Sequence, residues 1–338
     1  MKASILGIGC HVPEGMETNE DLGRENSDWN MGRIGEKTGI RARPVAAEDE
    51  TACDLAYEAA KKLLDRGLVP ADEIDYLIFS TQTPDHFLPS NACQLQHRLG
   101  LPGHIGALDF SVGCAGFVFG LQLAKSLILA RAARNVLLVT GETYSKLIHP
   151  KDRTVRALFG DAATASLIGA SEEGAGEIGE FVVGTDGSCA ESLIVPSGAF
   201  RLPRSAATGE EFADSQGCVR SKDNLYMDAQ AVFSFSLNTV PQAIAALLDK
   251  CGLAGDDVDW YVYHQANQFM MENLATCSNI PAEKMVYHLE NVGNTVSSSI
   301  PLALDAYVQS GRIKPGQRLV LAGFGVGFTW AVCSVIWG

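Results

Sequence analysis

Apolar runs alternate with amphipathic stretches along most of the chain. YLIFS (76–80) and VLLVT (136–140) are apolar at nearly every position, the pattern of strands covered on both faces by helices. After Cys114, the residues Phe117, Leu121, Ala124 and Ile128 recur at helical spacing. EAAKKLLDRGL (58–68) is amphipathic and runs to Gly67, a residue suited to ending a helix. Strand and helix therefore alternate, which predicts an α/β fold. From 171 to 224 the rhythm stops. SEEGAGEIGE and SGAFRLPRSAATGEEFADSQG are rich in Gly, Ser and acids, and predict a linker followed by a long surface excursion.

The pattern also repeats. DEIDYLIFS (72–80) matches DDVDWYVYH (256–264) at an offset of 184, an acidic loop leading into an apolar strand each time. RNVLLVTGE (134–142) matches QRLVLAGFG (317–325), with Thr140 opposite Ala322 at an offset of 182. Between them each half has a second predicted strand and a long helix. These are GALDFSV and CAGFVFGLQLAKSLILARAA in the first half, KMVYHLE and SSSIPLALDAYVQSG in the second. Matched order at matched offsets predicts two α/β halves, 1–170 and 171–338, related by a pseudo-twofold axis and stacked in layers.

Composition narrows the class. Of 338 residues, 46% are hydrophobic and 20% charged, as in a folded soluble protein. A net charge of −14 argues against nucleic acid as a partner, because phosphate binding needs a basic surface. The dense basic stretches, KTGIRAR (37–43) and HPKDRTVR (149–156), are local. Nine cysteines without a CxxC pair predict free thiols in a reducing cytoplasm and no zinc ribbon. The opening MKASILGIGCHVPEG reads as a first strand, and no stretch of about 18 uninterrupted apolar residues predicts a membrane span.

Three polar residues sit where the repeat places strand ends. Cys114 follows GALDFSVG, His264 ends WYVYH, and Asn294 follows KMVYHLENVG, 180 residues after Cys114. Sites in open α/β sheets gather at the carboxyl ends of strands. Each residue alone has a plain structural role open to it: a small buried hydrophobe, a satisfied histidine, a turn or N-cap asparagine. Together in a pseudosymmetric layout they predict one pocket. A thiol before a helix N-terminus is expected to have a lowered pKa. GFGVGF (323–328) and GIG (7–9) are not dinucleotide loops, since neither is a full GxGxxG opening a βαβ unit.

These residues carry a family resemblance over nearly the whole chain. TGIRAR (38–43), SVGCAGF (111–117), FGDAA (159–163), HQAN (264–267), GNTVSSSIPLAL (293–304), GRIKPGQ (311–317) and GFGVGFTW (323–330) occur in order. The sequence resembles the thiolase-superfamily condensing enzymes, most of all β-ketoacyl-acyl-carrier-protein synthase III. The resemblance implies a thiolase-like layered fold and a Cys-His-Asn set at Cys114, His264 and Asn294. It implies an acyl group carried on Cys114, then decarboxylative condensation with a malonyl thioester to a 3-oxoacyl thioester. The oxyanion would be held by the backbone N–H groups of Cys114 and Val326. No metal or redox cofactor is implied.

By the same resemblance, Asn267, Arg153 and Lys37 bind the pantetheine arm and its phosphates, and Leu88, Tyr144 and Phe233 belong to the acyl pocket. Leu88 would reach into the pocket of a partner in a homodimer. The chain departs from the family at several places. Val326 replaces a glycine, Phe269 stands where an arginine is common, Ser234 replaces a lysine, and Arg33 takes the place of an adenine-stacking tryptophan, with Trp29 upstream. These departures imply a specialised synthase, in fatty-acid or polyketide and lipid biosynthesis, that takes its primer from an acyl carrier protein. The alternative reaction on this fold is acyl transfer to an alcohol or amine without decarboxylation. A thiolase proper would need a second reactive cysteine near the C-terminal glycine loop, and Cys333 lies beyond it. A silent subunit would lack the nucleophile or the histidine, and both are present.

Overall fold

The computed structural model describes residues 1–171 and 176–338. Five strands build the first sheet: β1 (Lys2–His11), β2 (Tyr76–Ser80), β3 (Gly106–Phe110), β4 (Asn135–Glu142) and β5 (Ala162–Ser171), in the order β1-β5-β4-β2-β3. Four build the second: β6 (Glu177–Thr185), β7 (Trp260–Tyr263), β8 (Arg318–Gly325) and β9 (Thr329–Ile336), in the order β7-β8-β9-β6. The two orders superimpose. β2 pairs parallel with β4 from Tyr76 opposite Val136, and β7 pairs parallel with β8 from Trp260 opposite Leu319. Antiparallel neighbours follow in both, β5 then β1 and β9 then β6. The expected repeat is the fold.

Two expectations need correction. KMVYHLE forms no strand; a single bridge from Met285 to Tyr261 marks where β3 has its counterpart. The Val286 N–H donates to the Tyr261 carbonyl, but beyond that the Gln265 side chain intervenes, its amide donating to the Val286 carbonyl and its oxygen accepting from the His288 N–H. The stretch expected to be a linker contains β6, an edge strand of the second sheet. Its glycines and acids suit an edge, where one backbone face needs no partner strand. Residues 172–175 of that stretch lie outside the described residues.

Helices fill three layers around the two sheets. α1 (Met31–Thr38), α2 (Ala52–Leu64), α3 (Asn91–Arg98) and α4 (Gly116–Leu129) belong to the first half. α5 (Ala229–Cys251), α6 (Gln268–Cys277) and α7 (Ser299–Gln309) belong to the second. α4 and α7 lie between the sheets, where Phe117, Leu121, Ile300 and Leu304 share one core with Ile78, Leu138, Val262 and Leu321. α4 comes close because it starts in glycine. A Cβ on Gly116 would collide with the Ser80 hydroxyl, and one on Gly120 with Leu138. α2 opens with a Thr51–Asp54 capping box, and Gly67 turns left-handed (φ 64°) beyond its end. α5 is long and apolar enough to cross a membrane by composition, yet Val232, Ser236, Val240, Ala243 and Leu247 bury one face in the second-half core with Val320 and Val332.

Candidate active site

Cys114, His264 and Asn294 line one cavity of about 840 Å³. All three are buried at its inner end. Cys114 stands in the turn between β3 and α4, and the end of β8 is laid directly against it. A Cβ on Gly325 would lie 2.9 Å from both Cβ and Sγ of Cys114, and one on Gly323 would lie 2.7 Å from Ala115 Cα. Glycine at these positions lets the strand end and the Cys114 turn meet. The approach brings the Val326 N–H to the sulfur, beside the N–H of Cys114 itself.

The thiol does not behave as its helix predicts. Burial pushes it up to about 12, the nearby Glu142 carboxyl adds to the rise, and the two N–H groups offset only part. Desolvation of a thiolate outweighs a helix terminus whose first turn begins two residues later, at Gly116. The resting residue is a neutral thiol.

His264 follows β7, its N–H donating to the Ala322 carbonyl of β8 at 2.8 Å. Its Nδ1 lies 2.7 Å from Ser299 Oγ, which fixes the ring and leaves Nε2 to the cavity. The Phe324 ring stands edge-on at 5.7 Å. Burial pushes the imidazole down to about 3, so the ring is neutral. Asn294 is held by backbone on both sides. Its N–H donates to the Leu158 carbonyl at 2.8 Å, and its carbonyl accepts from Gly160 at 3.0 Å. Gly293 before it has φ 64°, and a Cβ there would lie 2.6 Å from the Leu158 carbonyl oxygen. Asn294 Oδ1 accepts the Val296 N–H at 2.9 Å. With the oxygen engaged, the amide NH₂ is the end free to meet a ligand.

The outer end of the cavity carries exposed Arg33, Lys37 and Arg153. Lys37 Nζ lies 4.8 Å over the Phe269 ring, which stacks on Phe233 at 5.5 Å. Arg153 donates to the Gln216 carbonyl at 2.8 Å. The excursion expected on the surface thus reaches the site, with Leu193 and Gln216 in the cavity wall. Asn267 lines the cavity while its Oδ1 caps α6 through the Met270 N–H. Trp29 is buried with Leu22, Met31 and Ala157, behind the Ala157 side of the cavity and not itself in its lining.

Tyr144 is not in the wall. It backs Phe159, which is, with ring centres 5.2 Å apart and its hydroxyl donating to Gln82 Oε1 at 2.5 Å. Leu88 is 82% exposed and outside the cavity of its own chain. Ser299, Glu142 and Phe159 were missed in the sequence. Ser299 and Phe159 stood inside the motifs SSSIP and FGDAA as unremarked neighbours. A second cavity, of about 930 Å³, lies on the far face of α1 against Gln268, His288 and Glu290, and contains none of the three polar residues. Among the described residues no three His, Cys, Asp or Glu side chains converge as a metal site requires.

The surroundings of this site have close counterparts. Residues 108–187 match the family 3-oxoacyl-[acyl-carrier-protein (ACP)] synthase III, and 248–337 match its C-terminal family. A β-ketoacyl-[acyl-carrier-protein] synthase III of Caldanaerobacter subterraneus subsp. tengcongensis is 36% identical over 338 residues, 99% of this chain and 98% of that one. The crystal structure of a 3-oxoacyl-(acyl-carrier-protein) synthase III is 49% identical and covers both chains completely at a TM-score of 0.97. That of a 3-oxoacyl-(acyl-carrier protein) synthase from Burkholderia xenovorans LB400 is 36% identical, covering 100% of this chain and 95% of that one at 0.92. With its whole length matched in sequence and its layered halves matched in space, the chain belongs to the 3-oxoacyl-[acyl-carrier-protein] synthase III family.

Proposed function

We propose that the protein condenses a Cys114-bound acyl group with a malonyl thioester, releasing CO₂ and a 3-oxoacyl thioester. The observation that carries this is the orientation of Asn294. Its oxygen is committed to the Val296 N–H, so its NH₂ and His264 Nε2 both address the cavity that holds Cys114.

Loading comes first. The Cys114 sulfur attacks the acyl thioester carbonyl, and the oxyanion is received by the N–H groups of Cys114 and Val326. The thiol proton leaves with the departing carrier thiol. A malonyl thioester then enters, and its carbonyl oxygen takes hydrogen bonds from Asn294 Nδ2 and His264 Nε2. Loss of CO₂ leaves an enolate on that oxygen. The neutral imidazole serves as a donor when the ring proton is on Nε2, which requires the Ser299 hydroxyl to turn its hydrogen from the Val296 carbonyl to Nδ1. The enolate carbon attacks the acyl-Cys114 carbonyl and expels the thiolate, which takes a proton from solvent.

Lys37, Arg153 and Asn267 receive the pantetheine arm; Phe233, expected in the acyl pocket, stacks on Phe269 beside Lys37, which supports a place along the arm's path instead. Phe269 in place of an arginine and the burial of Trp29 support a carrier-borne primer over free coenzyme A. Exposed Phe87, Leu88 and Phe200, with Phe87 and Phe200 in ring contact at 5.6 Å, support a homodimer that covers them and places Leu88 at the partner's acyl pocket. We place the enzyme in the cytoplasm, working without a bound metal or redox cofactor.

Intact-protein mass spectrometry after incubation with acyl-coenzyme A and acyl-carrier-protein donors tests the reading. An acyl mass on wild type and not on Cys114→Ala, lost on chase with malonyl carrier protein, is the expected result. An acyl mass that ignores malonyl and leaves with an alcohol or amine moves the reaction to acyl transfer.

A further inference from the structure

Glu142 closes β4 with no exposed surface, and none of the steps above uses it. Its Oε2 accepts the Gln82 N–H at 3.0 Å and the Thr83 hydroxyl at 3.2 Å. Its Oε1 accepts the Ser297 hydroxyl at 3.0 Å. Gln82 and Thr83 belong to the turn after β2 in the first half; Ser297 lies three residues past Asn294 in the second. Thr83 Oγ1 also accepts the Thr143 N–H at 2.9 Å, which ties the turn back to β4. One carboxyl group therefore joins three segments from both halves.

Each segment bears on Cys114. The Gln82 side-chain oxygen takes the Tyr144 hydroxyl and fills the space where a Cβ on Gly113 would sit. Ser297 Cβ would lie 3.4 Å from a Cβ on Gly116, at the first turn of α4. Releasing the carboxyl would loosen the turn beneath Cys114 and the Ser297 end of the Asn294 loop together, while Leu158 and Gly160 still hold Asn294 itself.

We propose that Glu142 is the positioning residue of this site, fixing the Cys114 turn to the Asn294 loop and governing the reactivity of the sulfur through its own charge. The proposal rests on Cys114 being the nucleophile. Burial pushes the Glu142 carboxyl up to about 8, with Asp161 adding to the rise. The titratable groups facing it are Cys114, Tyr144 and Asp161, and its partners at 82, 83 and 297 are neutral. Below that pH the side chain is an uncharged acid, and the Ser297 hydroxyl can turn to accept its proton. Above it, the anion opposes formation of a Cys114 thiolate.

Two variants separate the tie from the charge. Glu142→Gln keeps the tie and loses the charge: its oxygen accepts from Gln82 and Thr83, and its NH₂ donates to Ser297, yet it never ionises. Glu142→Leu keeps the bulk and loses every bond. Iodoacetamide alkylation of Cys114, followed by peptide mass spectrometry from pH 6 to 10, reads the charge. At pH 9 Glu142→Gln should alkylate about tenfold faster than wild type, the equivalent of one pKa unit, with the profiles merging below pH 7. Acyl loading at pH 7 reads the tie. Glu142→Gln should load within about threefold of wild type, while Glu142→Leu should fall about 100-fold, the loss expected for a displaced reacting group. Should Glu142→Leu fail to fold, Ser297→Ala carries the same test, with a loss of about tenfold expected. Superimposable alkylation profiles, or full loading by Glu142→Leu or Ser297→Ala, overturn the proposal. Loading of wild type by no donor at all overturns the proposed function and this inference with it.

Discussion

The contact between Gly325 and Cys114 allows a sharp test of how the nucleophile is seated. Replacing Gly325 by alanine puts a methyl carbon 2.9 Å from both Cβ and Sγ of Cys114, where ordinary contact begins at 3.4 Å. One side must yield by about 0.5–1 Å. The Cys114 turn has little room to shift, because the Gln82 side chain is packed against Gly113. The strand end must then move, and it carries the Val326 N–H. Overpacking of this kind costs about 1–3 kcal/mol of stability. Displacing one oxyanion donor or the sulfur by about 1 Å costs roughly 100-fold in rate. The assay is single-turnover acyl loading of Cys114 by mass spectrometry, with thermal melting alongside. Gly103→Ala is the control, since no atom lies within 4 Å of a Cβ there. Loading by Gly325→Ala within threefold of wild type, at an unchanged melting point, would refute the packing argument and the placement of the oxyanion donors.

Three further outcomes are expected. Asn294→Asp keeps the bond to the Val296 N–H but turns a carboxylate oxygen toward the enolate, so condensation should drop by at least about 100-fold while the acyl-Cys114 species accumulates; equal loss of both steps on quenched mass spectra would place Asn294 in loading instead. Ser299→Ala removes the partner of His264 Nδ1 and should slow decarboxylation of malonyl carrier protein by about tenfold or more, measured as CO₂ release; an unchanged rate would show that the ring needs no tether. His264 is held neutral by burial, so only the unfolded chain takes up its proton between pH 6.5 and about 3. Stability should therefore fall as pH drops through that window, by up to about 1.4 kcal/mol per unit from this residue. Urea melts at pH 7, 5 and 4 should show a shallower fall for His264→Gln, and parallel curves would mean that the folded ring takes up its proton at the same pH as the unfolded one.

Much of this was legible in the chain because its signals are periodic. Two apolar strands of matched order reveal the duplicated sheet, and positions just after strands reveal Cys114, His264 and Asn294. What escaped depends on distance in space. β6 looks like linker because its first residues, EIGE, continue the run of glycines and acids before it, which hides the strand signal of FVV at 181–183. Residues 284–290 look like strand, but after one bridge to Tyr261 the Gln265 side chain takes up the Val286 carbonyl and the His288 N–H. The thiol was expected to be acidic from its helix alone, and burial reverses the sign. Tyr144 has the composition of a pocket wall, and only the Phe159 ring in front of it shows otherwise. Glu142 ends an apolar strand in an ordinary TGE, and nothing nearby announces partners 60 and 155 residues away.

The stitching of residues 158–160 to Asn294 has a mechanical consequence. The sulfur comes from one half and the imidazole and amide from the other, so the interval between them is a property of the seam. Any loosening of that seam widens the interval before either sheet loses a strand. Turnover should accordingly vanish earlier on heating than ellipticity does, which makes the reaction a strain gauge for the junction. Two separately expressed halves would be inert alone, and the activity regained on mixing would report how closely they re-register.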